Sequence, residues 1–274
     1  MKTELEIGLH WFAVALYAIS TCFFVYGFIF KKEKSVKYGL YFALIGMIPH
    51  TLALGLRWYS TGHGPYLRRY EVYSSNVWVG LVMFLLAQWR NPVLRPLGVI
   101  VLPVSFLVIG MAVLSSAEIR PLPETFQTFW LIVHIFFAKI AYGACLIGTA
   151  LAVIYLLQRK RGLSVWSDRL PDPAVVDEMS YRFNGFGFFM ISVMIAAGAI
   201  WANDAWGSYW SWDPVEIWSL ISWVIYGIYL HLRRIHGWRG TKAAWLGIAA
   251  FCVLLFTAMG IGFVYLTSHS PYMN

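Results

Sequence analysis

The sequence predicts an all-α integral membrane protein, a bundle of about eight transmembrane helices with both termini on the outer side. Of its 274 residues, 59% are hydrophobic and only 12% are charged, whereas soluble globular chains carry about 25% charged residues. The mean hydropathy is positive. Apolar runs long enough to span a bilayer, roughly 20 residues each, recur along the chain. A soluble fold could not hide this much apolar surface.

Eight segments qualify as spanning helices. They are 7–30, 36–57, 72–89, 94–114, 127–158, 184–202, 214–233 and 243–267. The first is not a cleavable signal peptide, because its apolar run is longer than that of a signal sequence and the cationic cluster KKEK follows it. Little sequence is left over, which predicts a single polytopic membrane domain over 1–274. The longest connection, 158–182, is charged and contains proline, and is interpreted as a surface connection without chemistry of its own.

Lys and Arg are distributed unevenly between alternate loops, and this distribution predicts the orientation. One set of loops holds fifteen: Lys31, Lys32, Lys34, Lys37, Arg90, Arg95, Arg159, Lys160, Arg161, Arg169, Arg182, Arg233, Arg234, Arg239 and Lys242. The other set holds five: Lys2, Arg57, Arg68, Arg69 and Arg120. Because cationic loops stay inside, both termini and the stretch 201–218 are expected outside. The net charge of +8 therefore reflects topology, and no nucleic-acid partner is expected.

The three cysteines, Cys22, Cys145 and Cys252, all fall inside apolar runs. None has the CxxC or Cys/His spacing that indicates a disulfide framework or a zinc site. We expect them to be small packed residues.

The stretch WANDAWGSYWSWDPVEIW, about 201–218, is the most unusual part of the chain. It holds Trp201, Trp206, Trp210, Trp212 and Trp218. An interfacial aromatic belt spreads its rings over all helix ends, whereas this loop concentrates five of them. The density predicts a flat apolar platform whose natural ligand is a large planar aromatic molecule.

The end of this stretch also predicts the start of a helix. Asp213 would be the N-cap, Pro214 the first helical residue and Glu216 the partner in a capping box. This capping role is a sufficient explanation for Asp213, although a polarising role toward a bound group is also open to it.

The segment WGSYWSWDP resembles the tryptophan-rich signature of the haem-handling membrane proteins of cytochrome c biogenesis. In length, helix number and flanking motifs the chain is similar to the CcsA/ResC family of the system II pathway. The other matching stretches are RWYSTGHGPYLRRYEVYSS (57–75), WLIVHIFFAKIAYGA (130–144), SLISWVIYGIYLHLR (219–233) and TSHS (267–270). One position departs from the family pattern, since Val215 stands where the family usually has a lysine. If that lysine contacts a haem propionate, another cation must do so here.

Seven histidines are candidates for haem ligation: His10, His50, His63, His134, His231, His236 and His269. A histidine in a membrane helix is a functional candidate by default, and neutral imidazole is a common axial ligand of haem iron. His134 lies near the outer end of the fifth segment and His269 just beyond the outer end of the eighth, so both flank the Trp-rich stretch. His231 lies roughly 25 Å below Pro214 at 1.5 Å per residue. The sequence therefore suggests two separate haem-binding positions, or stations.

The resemblance implies the same assignment. It makes His134 and His269 the ligands of an outer haem and His231 a ligand of a haem within the membrane. A structural or interfacial histidine is the alternative for each, above all for His231, whose neighbour Arg233 suggests snorkelling. For the inner site the family draws its second ligand from a CcsB/ResB partner.

The remaining histidines and the outer arginines are weaker candidates. His50 follows Pro49 within a helix and could hydrogen-bond a neighbouring helix, and the glycines beside His63 already explain a turn there. His10 and His236 rank below both. Arg57, Arg68 and Arg69 are expected on the outer side, where they could bind propionates or lipid headgroups.

The function that the resemblance implies is haem delivery and attachment in cytochrome c maturation. Haem b would be bound transiently and presented by Trp201, Trp206, Trp210, Trp212, Asp213 and Trp218. An apocytochrome c with a CxxCH segment would receive it, and a CcsB/ResB-like membrane protein and thiol-reducing proteins would be further partners. The location would be the bacterial inner (cytoplasmic) membrane. No nucleophile or acid–base pair stands out, so the chain is expected to be a subunit of a cytochrome c synthase complex, with Asp213 as the one possible catalytic group.

Two other functions are compatible with the residues alone. One is a haem-containing quinone or electron-transfer subunit, which would hold permanent haem pairs on facing helices. The other is a haem transporter without a synthase role, for which interrupted helices and inverted repeats are typical. We see no convincing repeat in the sequence.

Overall fold

The computed structural model describes residues 2–159 and 170–264, in which helices and short connections occur and no strand is present. The helices are α1 (Lys2–Ile29), α2 (Glu33–Thr61), α3 (Arg69–Arg90), α4 (Gly98–Val113), α5 (Phe129–Arg159), α6 (Pro173–Trp206), α7 (Pro214–Arg234), α8 (Thr241–Leu255) and the short α9 (Ile261–Val264). A 3₁₀ turn over Pro92–Leu97 precedes α4, another covers Glu124–Phe126, and a π-helical turn, Phe256–Gly260, joins α8 to α9. Eight of these stretches are long and apolar enough to cross a membrane. The predicted all-α class with eight spans is confirmed.

The chain divides into two compact units, one up to Leu122 and one from Pro123. Among the described residues, the first unit consists of α1 to α4 and the second of α5 to α9. The single domain over 1–274 stays a prediction.

In the first unit, α2 packs closely against α1 at glycine positions. A Cβ atom on Gly46 would lie only 2.7 Å from the ring of Tyr17, and one on Gly39 would lie 2.7 Å from the ring of Phe24. Both rings are buried. Small residues allow membrane helices to approach to this distance, because lipid offers no hydrophobic driving force for their association.

In the second unit, α5 and α6 pack along a similar face of small residues. Gly143, Ala144 and Gly148 of α5 are buried, and a side chain on Gly187 of α6 would collide with the sulfur of Cys145. Cys145 is therefore a packed core residue, as predicted. The same prediction is wrong for Cys22 and Cys252, which are exposed on the faces of α1 and α8.

Helix α6 begins eleven residues earlier than the predicted start at 184. Asp172 caps it by accepting a hydrogen bond from the backbone N–H of Ala174 at 2.7 Å, and Pro173 occupies the first helical position. The interpretation of 158–182 as a mere surface connection is therefore wrong from Pro173 onward. Residues 160–169 lie outside the described part of the chain.

The extra turns of α6 are held by a buried ion pair. Arg233 of α7 donates to both carboxylate oxygens of Asp177, at 2.7 and 2.8 Å, and the backbone N–H of Gly240 donates to the same carboxylate at 3.0 Å. The charges of Asp177 and Arg233 neutralise each other. The polar start of α6, which its low hydropathy excludes from a predicted membrane span, can therefore be helical.

The final predicted segment, 243–267, is interrupted. Its helix α8 ends at Leu255, and the π-helical turn follows. Within the turn the hydroxyl of Thr257 lies 3.0 Å from that of Ser222 and 3.1 Å from the carbonyl oxygen of Trp218, which ties the turn to α7. Residues 265–267 lie outside the described part.

Candidate functional site

The five tryptophans of the stretch 201–218 are divided among three elements. Trp201 and Trp206 belong to the last turns of α6, Trp218 belongs to α7, and only Trp210 and Trp212 lie in the connecting loop. The prediction of five rings in one loop is therefore wrong. The helices extend into the motif from both sides and leave a loop of seven residues, 207–213.

The indole rings do not form a flat platform. Trp201 and Trp206 meet at 5.1 Å between centroids with an interplanar angle of 68°, and Trp210 and Trp212 meet at 5.9 Å and 87°. Edge-to-face contact is favourable because the positive edge of one ring meets the negative face of the other. The rings therefore stand at angles to one another, and three of them, Trp201, Trp206 and Trp210, form walls of a cleft.

This cleft lies between the ends of α5, α6 and α7. Its lining includes His134 from α5, Trp201 and Trp206 from α6, Trp210 from the loop, and Val215 and Glu216 from α7. Of the predicted ligand residues, the structure thus brings His134 together with three tryptophans. Trp218 instead packs on Phe256 at 4.7 Å between centroids.

The imidazole of His134 is held in one orientation. Its Nδ1 lies 2.8 Å from the carbonyl oxygen of Met194, and because a carbonyl can only accept, Nδ1 carries the hydrogen. This tautomer places the ring lone pair on Nε2, and a partner of this kind on the second nitrogen is typical of metal-binding histidines. Gly198 makes room for the ring, since a Cβ there would lie 2.6 Å from Nδ1.

Trp201 is the fixed wall of the cleft. Its side chain is 4% exposed, its indole N–H donates to the carbonyl oxygen of Thr125 at 2.8 Å, and Phe126 meets it edge to face at 5.3 Å. The ring lies 6.2 Å from that of His134. The histidine therefore faces an indole whose position is set by both packing and a hydrogen bond.

The start of α7 is capped as the sequence predicts. Asp213 accepts from the backbone N–H of Val215 at 2.9 Å, and Glu216 accepts from the backbone N–H of Asp213 at 3.2 Å. Glu216 also accepts from the backbone N–H of Ser211 at 2.8 Å. Its carboxylate thus fixes the residues on both sides of Trp212, which has a left-handed φ of 60° that non-glycine residues seldom adopt.

His231 lies at the far end of α7 from the cleft, about 25 Å from Pro214 along the helix axis. It is exposed, and its ring lies 5.5 Å from that of His236. His236 ranks low in the sequence because it is expected in a turn on the cytoplasmic side, whereas the structure brings its ring next to that of His231. His269 lies outside the described residues, so its predicted pairing with His134 stays a prediction.

The arginines that were candidates for propionate binding have partners within the first unit. Arg57 is 1% exposed and donates to Glu71 at 2.8 Å and to the carbonyl oxygens of Ala117 and Glu118 at 2.6 and 3.0 Å. It is a structural residue. Arg68 lies 3.5 Å from the Glu118 carboxylate, and burial lowers the pKa of its guanidinium.

His63 and His50 also have structural partners. The Nδ1 of His63 donates to the carbonyl oxygen of Gly64 at 2.7 Å, in agreement with the turn explanation. His50 hydrogen-bonds residues of two neighbouring helices, Tyr17 and Ser74, at 3.0 and 2.9 Å.

Several residues of the cleft were missed by sequence reasoning. Met194 and Gly198 line the cleft, and Thr125 holds Trp201 from outside it. Thr125 and Met194 act through main-chain carbonyls and leave no side-chain signal. Gly198 does leave one, because it lies in the run AAGA (196–199), and small residues of this kind mark close helix approach.

Fold and site together define a class: a multi-pass, all-α membrane protein in which an oriented imidazole shares a cleft with indole rings. Residues 66–269 match the family described as Cytochrome C assembly protein. The chain belongs to this family, and within it to the CcsA proteins of cytochrome c biogenesis. Its role is in cytochrome c maturation.

Relatives similar over most of their length support this assignment. The cytochrome c biogenesis protein CcsA of Guillardia theta is 33% identical over 268 residues, which cover 89% of each chain. That of Trieres chinensis is 31% identical over 98% of this chain and 96% of its own. Among solved structures, the cytochrome c haem lyase CcmF shares the fold with a TM-score of 0.71 at 15% identity. The match covers 98% of this chain but 48% of that one, so this chain spans about half of its length.

Proposed function

We propose that the cleft between α5, α6 and α7 holds haem b and presents it to an apocytochrome c for covalent attachment. The observation that carries the proposal is the tautomer of His134, whose Nδ1 donates to the Met194 carbonyl within a cleft lined by indoles. An Nε2 lone pair suits haem iron, and the aromatic faces of the indoles suit contact with a porphyrin. The residues present therefore fit the group.

The protein's contribution is positioning. The carbonyl of Met194 sets the direction of the imidazole and raises its basicity, and the anchored ring of Trp201 limits where the porphyrin can lie. Holding reacting groups in near-attack geometry can supply several kcal/mol, about 7 or more in favourable cases. The capped start of α7, with the Glu216 carboxylate accepting three hydrogen bonds from Ser211 and Asp213, keeps the opposite wall in place.

Haem, as the cargo, supplies two vinyl groups. Each cysteine thiol of a CxxCH segment adds across one vinyl double bond, so that a carbon–sulfur bond forms and the thiol hydrogen passes to the other vinyl carbon. No net oxidant or reductant is consumed in this addition. The thiols must be reduced beforehand, which is why thiol-reducing proteins belong among the proposed partners.

We further propose that His269 is the second ligand at this cleft and that His231 belongs to a separate station at the other end of α7. His231 would need a ligand from a CcsB/ResB-like partner. The distance of about 25 Å along α7 supports two separate stations over one shared iron. The location proposed is the bacterial inner membrane, with the cleft on the outer side.

The test is co-expression of the full chain with a CcsB/ResB-like partner and a CxxCH reporter. His134→Ala and Trp206→Leu should each lower haem retention in the purified protein and holocytochrome yield. Trp245→Leu is the matched control, because Trp245 is 61% exposed on α8 and lies outside the cleft.

Two outcomes would contradict the proposal. One is an unchanged holocytochrome yield in His134→Ala. The other is haem that stays bound in full stoichiometry and does not exchange with added haem, since that behaviour is expected of a permanent electron-transfer subunit.

A further inference from the structure

A second group of ionisable side chains lies in the first unit, and the proposed function does not use it. It consists of Tyr70, His10, Ser74, His50 and Tyr17, which come from α1, α2 and α3 and are each no more than 1% exposed. We call this group the His10–His50 relay. Ionisable residues inside a membrane span are costly and usually functional, so two buried histidines need an explanation.

The five side chains form one unbroken row of hydrogen bonds. The hydroxyl of Tyr70 lies 2.8 Å from Nδ1 of His10, whose Nε2 lies 2.8 Å from the hydroxyl of Ser74. The same hydroxyl lies 2.9 Å from Nε2 of His50, whose Nδ1 lies 3.0 Å from the hydroxyl of Tyr17. Ser74 thus joins the two imidazoles, with 5.6 Å between the ring centroids.

Every member of this row can both donate and accept a hydrogen bond. Neighbouring Arg57 and Glu71 cannot exchange roles in this way, because a guanidinium only donates and a carboxylate only accepts. A purely structural network could use such fixed pairs. The His10–His50 relay instead uses only groups that can pass a proton on and be reset.

Two complete hydrogen-bond orders are possible. In the first order, Tyr17 donates to His50, His50 donates to Ser74, and Ser74 donates to His10. The Nδ1–H of His10 then points to the main-chain carbonyl of Glu6, 3.2 Å away. In the other, each donation is reversed and the hydroxyl of Tyr17 donates to the sulfur of Met47 at 3.2 Å. In the second order a proton that enters from Tyr70 can displace one proton at each step, from His10 to Ser74 and from Ser74 to His50, and its return restores that order.

The two ends of the relay differ in their surroundings. Tyr70 and His10 lie next to Glu6, whose carboxylate is 3.9 Å from Arg57, and Arg57 in turn contacts the main chain at Glu118. The Glu118 side chain is 58% exposed, so polar groups lead from this end to solvent. At the other end Tyr17 contacts Met47 and packs against Gly46.

We infer that the His10–His50 relay is a proton pathway that leads from solvent at the Glu118 end of the first unit to His50 in the membrane interior. A proton is taken up at Tyr70 or His10, passes through the hydroxyl of Ser74, and is held on His50, whose imidazolium then donates to both Ser74 and Tyr17. It leaves by the same route. The inference stands apart from the proposed haem cleft, and either can fail without the other.

The experiment measures exchange of the imidazole N–H groups with solvent in the full chain. The protein carries ¹⁵N-labelled histidine in lipid nanodiscs, and each resonance is assigned by removing one histidine at a time. Ser74→Ala should slow exchange at His50 by about tenfold or more, because an isolated buried group exchanges only through local opening, and should leave His10 unchanged. Ser74→Thr keeps a hydroxyl and should retain the wild-type rate at both rings.

The tyrosines give an independent pair of variants that each remove one hydroxyl. Tyr70→Phe should slow exchange at both histidines, whereas Tyr17→Phe should slow neither, because the proton enters from the Tyr70 end. Thermal unfolding of each variant separates these effects from loss of structure, since a merely structural network would lower stability without this order of rates. Unchanged exchange at His50 in folded Ser74→Ala would overturn the inference, as would equal effects of the two tyrosine variants.

Discussion

At the scale of single residues, the cleft depends on the absence of a side chain at Gly198. Because a Cβ there would lie 2.6 Å from Nδ1 of His134, Gly198→Ala should displace the imidazole and break its bond to Met194. We expect haem retention to fall on the order of tenfold, as small misplacements of binding groups do. The measurement is haem absorbance of the purified protein with its partner. Gly185→Ala is the control on the same helix, since its nearest contact would be Leu230 at 3.6 Å, and equal losses in both variants would contradict the role of Gly198.

Trp201 offers a second test at this scale, because a hydrogen bond and a buried ring together fix its position. Trp201→Phe keeps an aromatic ring but loses the hydrogen bond to the Thr125 carbonyl and part of the buried ring, which together should lower the free energy of unfolding by about 1 kcal/mol or more. Thermal unfolding in detergent would show this as a lower midpoint. Trp245→Phe, at an exposed position of α8, should leave the midpoint unchanged. An equal fall in both would show that the anchoring of Trp201 does not contribute to stability.

At the scale of elements, substitutions of Asp213, the N-cap of α7, distinguish a capping role from a direct role in haem attachment. Asparagine caps a helix nearly as well as aspartate, whereas alanine costs about 1 kcal/mol. We therefore expect Asp213→Asn to keep both stability and holocytochrome yield, and Asp213→Ala to lower both. A stable Asp213→Asn variant with a much reduced yield would instead assign the carboxylate a direct role in attachment.

The ion pair between α6 and α7 can be tested in the same way. Breaking a buried pair leaves an uncompensated charge and costs about 3–5 kcal/mol, whereas replacing both partners by apolar residues is often neutral. Arg233→Met alone should strongly destabilise the protein, because Asp177 remains buried. The double variant Arg233→Met, Asp177→Leu should recover most of that loss in thermal unfolding. If the double variant does not regain stability, the attraction between these two charges does not hold α6 and α7 together.

At the scale of the whole molecule, the distribution of Lys and Arg predicts which side each loop faces. In a cysteine-free background, a cysteine at Glu118 should react with a membrane-impermeant maleimide added to intact cells, and one at Lys34 should react only after the membrane is opened. Both side chains are exposed. The reverse pattern would invert the proposed topology.

The eight spans could be predicted because length and apolarity are properties of each segment by itself. The early start of α6 could not be derived from hydropathy, since Asp177 is compatible with burial only through Arg233, which lies 56 residues away in sequence. The signal that was available, Asp172 followed by Pro173, is the same pair that predicted the start of α7. The density of tryptophans likewise predicted an aromatic site, but their mutual angles depend on which helix carries each ring.

Arg57 fastens the connection between α4 and α5 through main-chain oxygens at positions 117 and 118. Hydrogen bonds to main-chain oxygens do not depend on which side chains the bonded segment carries. Substitution of either side chain therefore leaves these two hydrogen bonds in place, whereas Arg57 itself has no equivalent replacement, because lysine offers a point charge in place of a planar fork.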